Sequence, residues 1–492
     1  MVEPGHLPQF HVVGFTGHRQ VADPAATAGF LTAALDDLQG RAAGEWIGVS
    51  SAAAGGDLLF ARSVLDRGMN WHAILPLTPA DFSRDFNAED WGGVESLLAS
   101  AETVTALGSS AIRKEAYLDS GIEVVNACDV LIALWDGEPA RGRGGTAEVV
   151  TYAQELLKPL VVVDPATGDV RRENFERFEP ADPELAFLNS LPDAPETAAA
   201  DGGVRGMVER CHRKAAAAAK RSAPQFRRLT AATVLLHVAA TIIATAGLAF
   251  HWESLLVPWA KLLFVLGALG AALALRHYRA QHNWVRCRLA AEICRAALAT
   301  WGLPRRVPLF GDLDLPGARQ LVRSLHELHR RGAPEKQANL DTFRQQYRAA
   351  RIEDQLHYYR RGLDRAVPQL RYLRLGFTVS TALAIVCMAA YALHYTLRLP
   401  SLSPALEAVA FYFLPIVLPV TAAAFVALVS INDLHRRVAR YREMCQMLEL
   451  AHRQVGVTHT WHSLEQLVRR TERALLQEVL EWHTLVRHLE SH

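Results

Sequence analysis

The chain has 492 residues, 21% of them charged, yet a mean hydropathy of +0.06, so its apolar residues must be concentrated in particular segments. Its net charge of +1 hides an asymmetry: residues 1–200 carry 13 Lys+Arg against 30 Asp+Glu, leaving 39 against 21 of the chain's 52 and 51 for the remainder. The acidic first part excludes a nucleic-acid polymer as partner, since neutralising phosphates takes a basic face, while the Arg-rich remainder, interleaved with apolar runs, suits the flanks of membrane spans.

Six scattered cysteines form no CxxC and have no histidine at finger spacing, so neither a metal site nor a disulfide framework is expected. The opening MVEPGHLPQF lacks the basic and apolar regions of a signal peptide, so the first domain is expected to stay in the cytosol.

Residues 11–165 alternate strand-like with helix-like stretches. Strands are predicted at His11–Gly14, Trp46–Val49, His72–Leu75, Val104–Leu107, Val130–Trp135 and Leu160–Val163. Helices fall at Ala25–Gln39, Gly56–Arg67, Ala88–Ala99, Arg113–Ala127 and Thr146–Leu157. This alternation predicts an α/β doubly wound parallel sheet of Rossmann-like type over 1–165, with ligands at the carboxyl ends of the strands. Residues 166–203 read as a linker or a peripheral wrap.

Downstream the chain is expected to be all-α, a membrane region of four transmembrane helices with cytosolic helices. The apolar spans are Leu229–Phe250, Ser254–Leu275, Leu375–Leu393 and Ala408–Asn432. About 22 helical residues span about 33 Å, enough for a bilayer core. They define a first hairpin within 204–300, a helical connector over 301–360 and a second hairpin with trailing helices over 361–492. Arginines flank the outer ends of both hairpins (Arg227, Arg228, Arg276, Arg279; Arg371, Arg374, Arg436, Arg437, Arg440), whereas the tips are poor in Lys and Arg. Both termini should therefore be cytosolic in a multi-pass protein of the inner (plasma) membrane. Arg221–Arg227 aligns with Arg365–Arg371 around a shared Pro-Gln, which points to a duplicated unit. Within the spans, Pro415 and Pro419 should kink their helix, and Gly267 with Ala271 suits close helix contact. His237 suits either a pore-lining role or a hydrogen bond to a neighbouring helix.

The candidate ligand site gathers loops that leave strand ends on one edge. After the first strand, Gly14, Thr16, Gly17, His18 and Arg19 form a glycine turn with a hydroxyl and a cation suited to phosphate. After the second come Ser51, Gly55, Gly56 and Asp57, the last either a helix cap or an acceptor for a ribose hydroxyl. Pro76 leaves the third strand on a loop that could close over the site, where Phe82 and Phe86 either stack on a base or pack in the core. After the fifth strand, Asp136 and Gly137 open a loop through Arg143, Gly144 and Gly145 to Thr146, whose helix N-terminus faces an anion. Arg141 and Arg143 either pair with phosphate or are solvated. Glu148 either favours the helix dipole or serves a ligand, by ribose binding or catalysis.

The strings GFTGHR, SAAAGGD, LPLTPADF, VVNACDVLIALWDG and RGGTAEVVTYA, in this order over about residues 10–165, resemble a SLOG domain. That superfamily includes the Smf-type DNA-uptake protein and the cytokinin-activating LOG phosphoribohydrolases. The paired spans with trailing helices resemble the SLATT group, here in two copies. The resemblance implies a membrane effector of bacterial anti-phage defence. Its SLOG domain would bind a nucleotide-derived second messenger, cyclic or ADP-ribose-like, with no other cofactor. The chain would then gate a pore or disturb the bilayer as a homo-oligomer. The LOG enzymes carry a carboxylate three residues after the Thr of Pro-Gly-Gly-x-Gly-Thr-x-x-Glu. Here that position is Val149, and Glu148 comes one residue early, pointing about 100° away. A binding pocket is favoured over an N-glycoside hydrolase acting on nucleotides or NAD; a passive scaffold is the third alternative.

Overall fold

The computed structural model describes residues 6–490 except 111, 140–143, 194–202, 253, 255, 278–279, 304–316, 333–338 and 399–401. The chain separates into two units, one running to Ser190 and taking in a returning segment that ends at Ser324, the other holding the rest.

The first unit is built on a seven-stranded sheet: β1 (Phe10–Gly17), β2 (Glu45–Ser50), β3 (Asn70–Leu75), β4 (Thr103–Ala106), β5 (Val130–Leu134), β6 (Leu160–Val163) and β7 (Val170–Glu173). Their order is β4-β3-β2-β1-β5-β6-β7, parallel except for β7, which runs antiparallel to β6. Every residue of β5 (VLIAL) and β6 (LVVV) is buried, as expected of strands covered on both faces. The helices α1 (Pro24–Arg41), α2 (Gly56–Asp66), α3 (Pro79–Phe82), α4 (Ala88–Ala99), α5 (Arg113–Ala127), α6 (Thr146–Glu155) and α7 (Pro183–Ser190) supply that cover. Phe15, Leu31, Phe60, Trp71 and Ile132 belong to one apolar cluster, and Val12, Ile47, Val124, Leu131 and Val149 to another. Adjacent residues of β1 and β5 thus fall in different clusters, as alternating side chains on a two-sided sheet must.

One expectation needs correction. The chain does not turn at Gly14: β1 stays extended to Gly17, because Phe15 is buried against Phe60 (ring centroids 4.8 Å apart) and Thr16 and Gly17 pair with Ala133 and Leu134 of β5. Of the two readings of residues 166–203, the described part is a wrap on the sheet unit rather than a bare linker. It contributes β7 and α7, and Asn189 ties α7 to the sheet by exchanging hydrogen bonds with the backbone of Leu7 (2.9 and 3.0 Å).

The helix α11 (Arg319–Arg331) begins within this unit. Arg323 forks onto the Asp129 carboxylate at the start of β5, its Nη2 donating at 3.0 Å, and also donates to the carbonyl of Phe10. Asp129 in turn accepts the N–H of Val12 (2.9 Å).

The second unit is helical: α8 (Val204–Ala249), α9 (Leu256–His277), α10 (Ala280–Ala299), α12 (Leu340–Tyr347), α13 (Asp354–Thr396), α14 (Pro404–Glu407), α15 (Leu414–Ile431), α16 (Leu434–Gly456) and α17 (Trp461–Glu490). Among the described residues, four stretches are long and apolar enough to cross a membrane: Arg228–Ala249, Leu256–Ala274, and parts of Leu340–Thr396 and Pro404–Gly456. Their surfaces expose Leu262, Leu263, Leu266, Val379, Ile385 and Val386, side chains that water would reject and lipid accepts. Trp252 and Trp259, exposed beside the first hairpin's tip, are placed as interfacial anchors. The chain is a membrane protein.

Within this unit α8 packs on α9, α13 on α15, and α15 on α8. A Cβ at Gly376 would come within 2.7 Å of the Phe425 ring, so glycine is what lets α13 and α15 approach. Gly267 lies against Leu236 of α8, and His237 bonds through Nδ1 with the Thr233 carbonyl of its own helix (2.8 Å) rather than with a neighbour. A π-turn over Ala408–Phe413 precedes Pro415, a wider turn next to a residue that has no N–H to donate. Outside the spans, a second π-turn (Arg348–Glu353) presents Arg351 to Glu472 of α17, with Nη2–Oε2 at 2.6 Å and Nε–Oε1 at 2.9 Å. The Tyr347 hydroxyl donates to the same carboxylate (2.8 Å), and the ion pair is nearly sealed from solvent.

Candidate functional site

In a sheet ordered β4-β3-β2-β1-β5-β6, the connections leave β1 and β5 in opposite directions, so a crevice opens between their carboxyl ends. A cavity of 810 Å³ lies there, within the size range of small-molecule sites. Its walls come from the ends of β1, β2 and β5, from the start of α6 and from α5.

Two loops interlock to make one wall. Gly56 N–H donates to the His18 carbonyl (3.0 Å), and Gly55, at φ +79°, sits so close that a Cβ would lie 2.3 Å from the Arg19 carbonyl oxygen. Only glycine meets both demands. Gly55→Ala is therefore expected to cost about 2 kcal/mol or more. Gly68→Ala, at φ +67° with open space around it, should cost only the left-handed backbone term of about 1 kcal/mol. Thermal melts that fall equally for both would refute the close approach.

Asp57 lines the cavity yet is only 4% exposed, and its Oδ1 accepts the Ser51 N–H at 3.1 Å. It does not cap α2, whose N-cap is Gly55. Burial raises the Asp57 carboxyl to about 7, against the opposing pull of the Ser51 N–H and of Arg19. Near neutrality it is partly protonated and can donate as well as accept.

Arg19 stacks over the Tyr117 ring at 4.3 Å and, among the described residues, has no carboxylate at ion-pair distance. The Tyr117 hydroxyl donates to Asp85 (2.6 Å), which also receives Arg113 (2.8 Å). Burial pushes the Asp85 carboxyl up, but these two donors outweigh it and hold Asp85 below its ordinary range. Arg113 is thus already neutralised, whereas Arg19 keeps charge to offer a ligand. Opposite, the Asp136 N–H donates to His18 Nε2, with Asp136 Oδ1 also 3.3 Å from that nitrogen. Among the described residues no side chain caps α6 at Gly145, so its first turn presents N–H groups beside Gly144, Thr146 and Ala147 in the cavity wall. The cavity therefore pairs anion-binding groups (Arg19, Lys114 and this helix end) with carboxylates at Asp57 and Asp136. That combination suits a phosphorylated molecule carrying hydroxyls.

The structure brings Thr16, Gly17, His18, Arg19, Ser51, Asp57, Asp136, Gly144, Gly145 and Thr146 together around this cavity. Gly55 and Gly56 stand behind them as the interlock. Gly14, Pro76, Gly137 and Glu148 are not in the lining. A Cβ at Gly14 would meet Cys128 Sγ at 2.8 Å, so this glycine admits the end of α5 against β1. Glu148 accepts the Gly144 N–H (2.6 Å) and fastens the loop ahead of its own helix. Phe82 is fully buried, edge-on to Phe86, so core packing claims both rings. Arg141 and Arg143 lie outside the described residues. Sequence reasoning missed Tyr117, Asp85 and Lys114. The first two sit in helical stretches with no motif, and only their side-chain contacts reveal them.

The chain's second hairpin supplies the comparison that matters. Residues 347–482 match the family model of the SMODS and SLOG-associating 2TM effector domain 1. The match runs from Tyr347, through both spans of the second hairpin, into α17, and includes both partners of the Arg351–Glu472 pair. No curated protein matches the chain. The membrane-spanning half of the effector-domain resemblance thus rests on a family model, in one copy.

Proposed function

We propose that this protein is a membrane effector whose sheet domain takes up a nucleotide-derived signal, cyclic or ADP-ribose-like, and so alters the state of its membrane helices in anti-phage defence. The observation that carries the reading is a cavity at the strand-order switch, furnished for phosphate and hydroxyls, on the same chain as a 2TM effector segment. Ligand enclosed between β1 and β5 would act on β5, whose far end holds the Asp129–Arg323 fork at the root of α11. Binding can bias the membrane helices only if one of their arrangements favours the closed cavity. Arginine-flanked hairpin ends support cytosolic termini and an inner-membrane location. Four spans with few polar faces support a homo-oligomer as the acting form.

A hydrolase is disfavoured because the Glu148 carboxylate is occupied by Gly144 N–H and does not line the cavity. The test is a thermal-shift panel of ADP-ribose, cyclic dinucleotides and nucleoside monophosphates on the detergent-purified chain. At least one should stabilise it, and Arg19→Ala should weaken that ligand about tenfold or more, the worth of one charged hydrogen bond. A panel with no shift, or a shift indifferent to Arg19, would refute the reading.

A further inference from the structure

A second cavity, of 330 Å³, lies in the helical unit where the second hairpin ends. Its floor is apolar, made by Val367, Leu370, Val438 and Ala439, next to the cluster that joins α13 to α16. Its rim carries three arginines, Arg371 and Arg374 from α13 and Arg442 from α16, beside the imidazole of His435 on α16. Arg374 Nη2 lies 2.8 Å from His435 Nδ1. Among the described residues neither Arg371 nor Arg442 has a carboxylate at ion-pair distance. Flanking arginines that served only to orient a span could scatter around their helices. Here arginines from two helices face one small cavity whose described lining holds no carboxylate, an arrangement that an entering anion would stabilise.

Position says which anion. Arg374 immediately precedes the apolar run that begins at Leu375, and His435 follows the run that ends at Ile431. The rim therefore lies at the depth of the lipid headgroups, with the acyl chains beginning on its apolar side. We propose that this cavity is a binding site for the phosphodiester headgroup of an anionic phospholipid. Arg371, Arg374 and Arg442 hold the phosphate, the chains leave past Arg374 toward the apolar run that begins at Leu375, and the Val367–Leu370–Val438 floor closes the cavity on its water side. The volume sits at the lower end of ligand sites, which fits a headgroup rather than a whole lipid. The proposal rests on the hairpin crossing a bilayer and is independent of what the sheet domain binds.

The test uses the full chain in nanodiscs of phosphatidylcholine alone or with one-third phosphatidylglycerol. Phosphatidylglycerol should raise the melting temperature by about 5 °C, the effect of a site well filled by local lipid. Arg371→Gln/Arg374→Gln/Arg442→Gln should abolish the rise, and Arg453→Gln, on α16 away from the cavity, should keep it. If the triple variant does not fold, Arg442→Gln alone serves, scored by loss of phosphatidylglycerol retained in native mass spectra. A rise that persists in the variants would overturn the site. So would inorganic phosphate giving the same rise in phosphatidylcholine, since it would show a site for free anion instead. Normal insertion into both nanodiscs with equal melting temperatures would leave the membrane assignment standing and sink the lipid site.

Discussion

Replacing Arg351 with alanine is expected to destabilise the helical unit by about 4 kcal/mol, because it strands a buried carboxylate. Glu472 is fully buried, and once the guanidinium is gone only the Tyr347 hydroxyl remains to it among the described partners. Burial works against the charge on Arg351, but Glu472 and Glu292 outweigh it and keep the group protonated well above its ordinary range. Replacing both partners by apolar residues of similar volume, Arg351→Met with Glu472→Leu, should recover most of the loss. Thermal melts of the two variants in detergent decide the matter. A single variant within about 1 kcal/mol of wild type would show that water reaches the pair. The pair holds α17 to the π-turn that leads into the second hairpin, and both residues fall inside the matched segment.

Asp57 should make the sheet domain less stable as pH rises, the reverse of the usual carboxylate. Its folded-state value of about 7 lies above the 3.8 of an unfolded chain. Below pH ~4 both states hold the proton, and folding gains nothing or loses nothing through this group. Between there and neutrality the unfolded chain sheds the proton while the folded one must keep it, so stability drains away as pH climbs. The full effect, past pH 7, is about 4 kcal/mol. Asp57→Asn should flatten this slope and be the more stable form at pH 8. Parallel pH-stability curves for wild type and variant between pH 5 and 8 would refute the shift. A ligand hydroxyl that accepts from the protonated carboxyl should bind more tightly at pH 6 than at pH 8.

The parallel strands were legible in the sequence because burial on both faces leaves unbroken apolar runs such as Val130–Leu134. The spans were legible for a similar reason, since lipid permits no charge in the middle of a helix. What escaped was set by distant partners. β7 reads Val-Arg-Arg-Glu, a charged edge strand that pairs on one side only, and no local pattern marks it. The turn placed at Gly14 was wrong because glycine there answers to Cys128, more than a hundred residues on. At the cavity, the loops that end strands could be anticipated from Gly and Asp spacing. Tyr117 and Asp85 could not, because their role depends on how α5 packs across the crevice. Glu148 shows the limit most clearly. Its register said which way it would not point, and only the Gly144 contact says what it does.

The returning segment has a consequence for proteolysis. Asp129 belongs to the first third of the sequence, while the guanidinium that neutralises it arrives from Arg323, well past the first hairpin. The sheet domain is therefore stitched into the chain at two places. A single cut between Ser190 and Val204 leaves the domain attached only through non-covalent contacts such as the Arg323–Asp129 pair. Shedding the domain together with its returning segment takes a cut at each of the three places where the chain leaves it, after Ser190, before the returning segment and after Ser324.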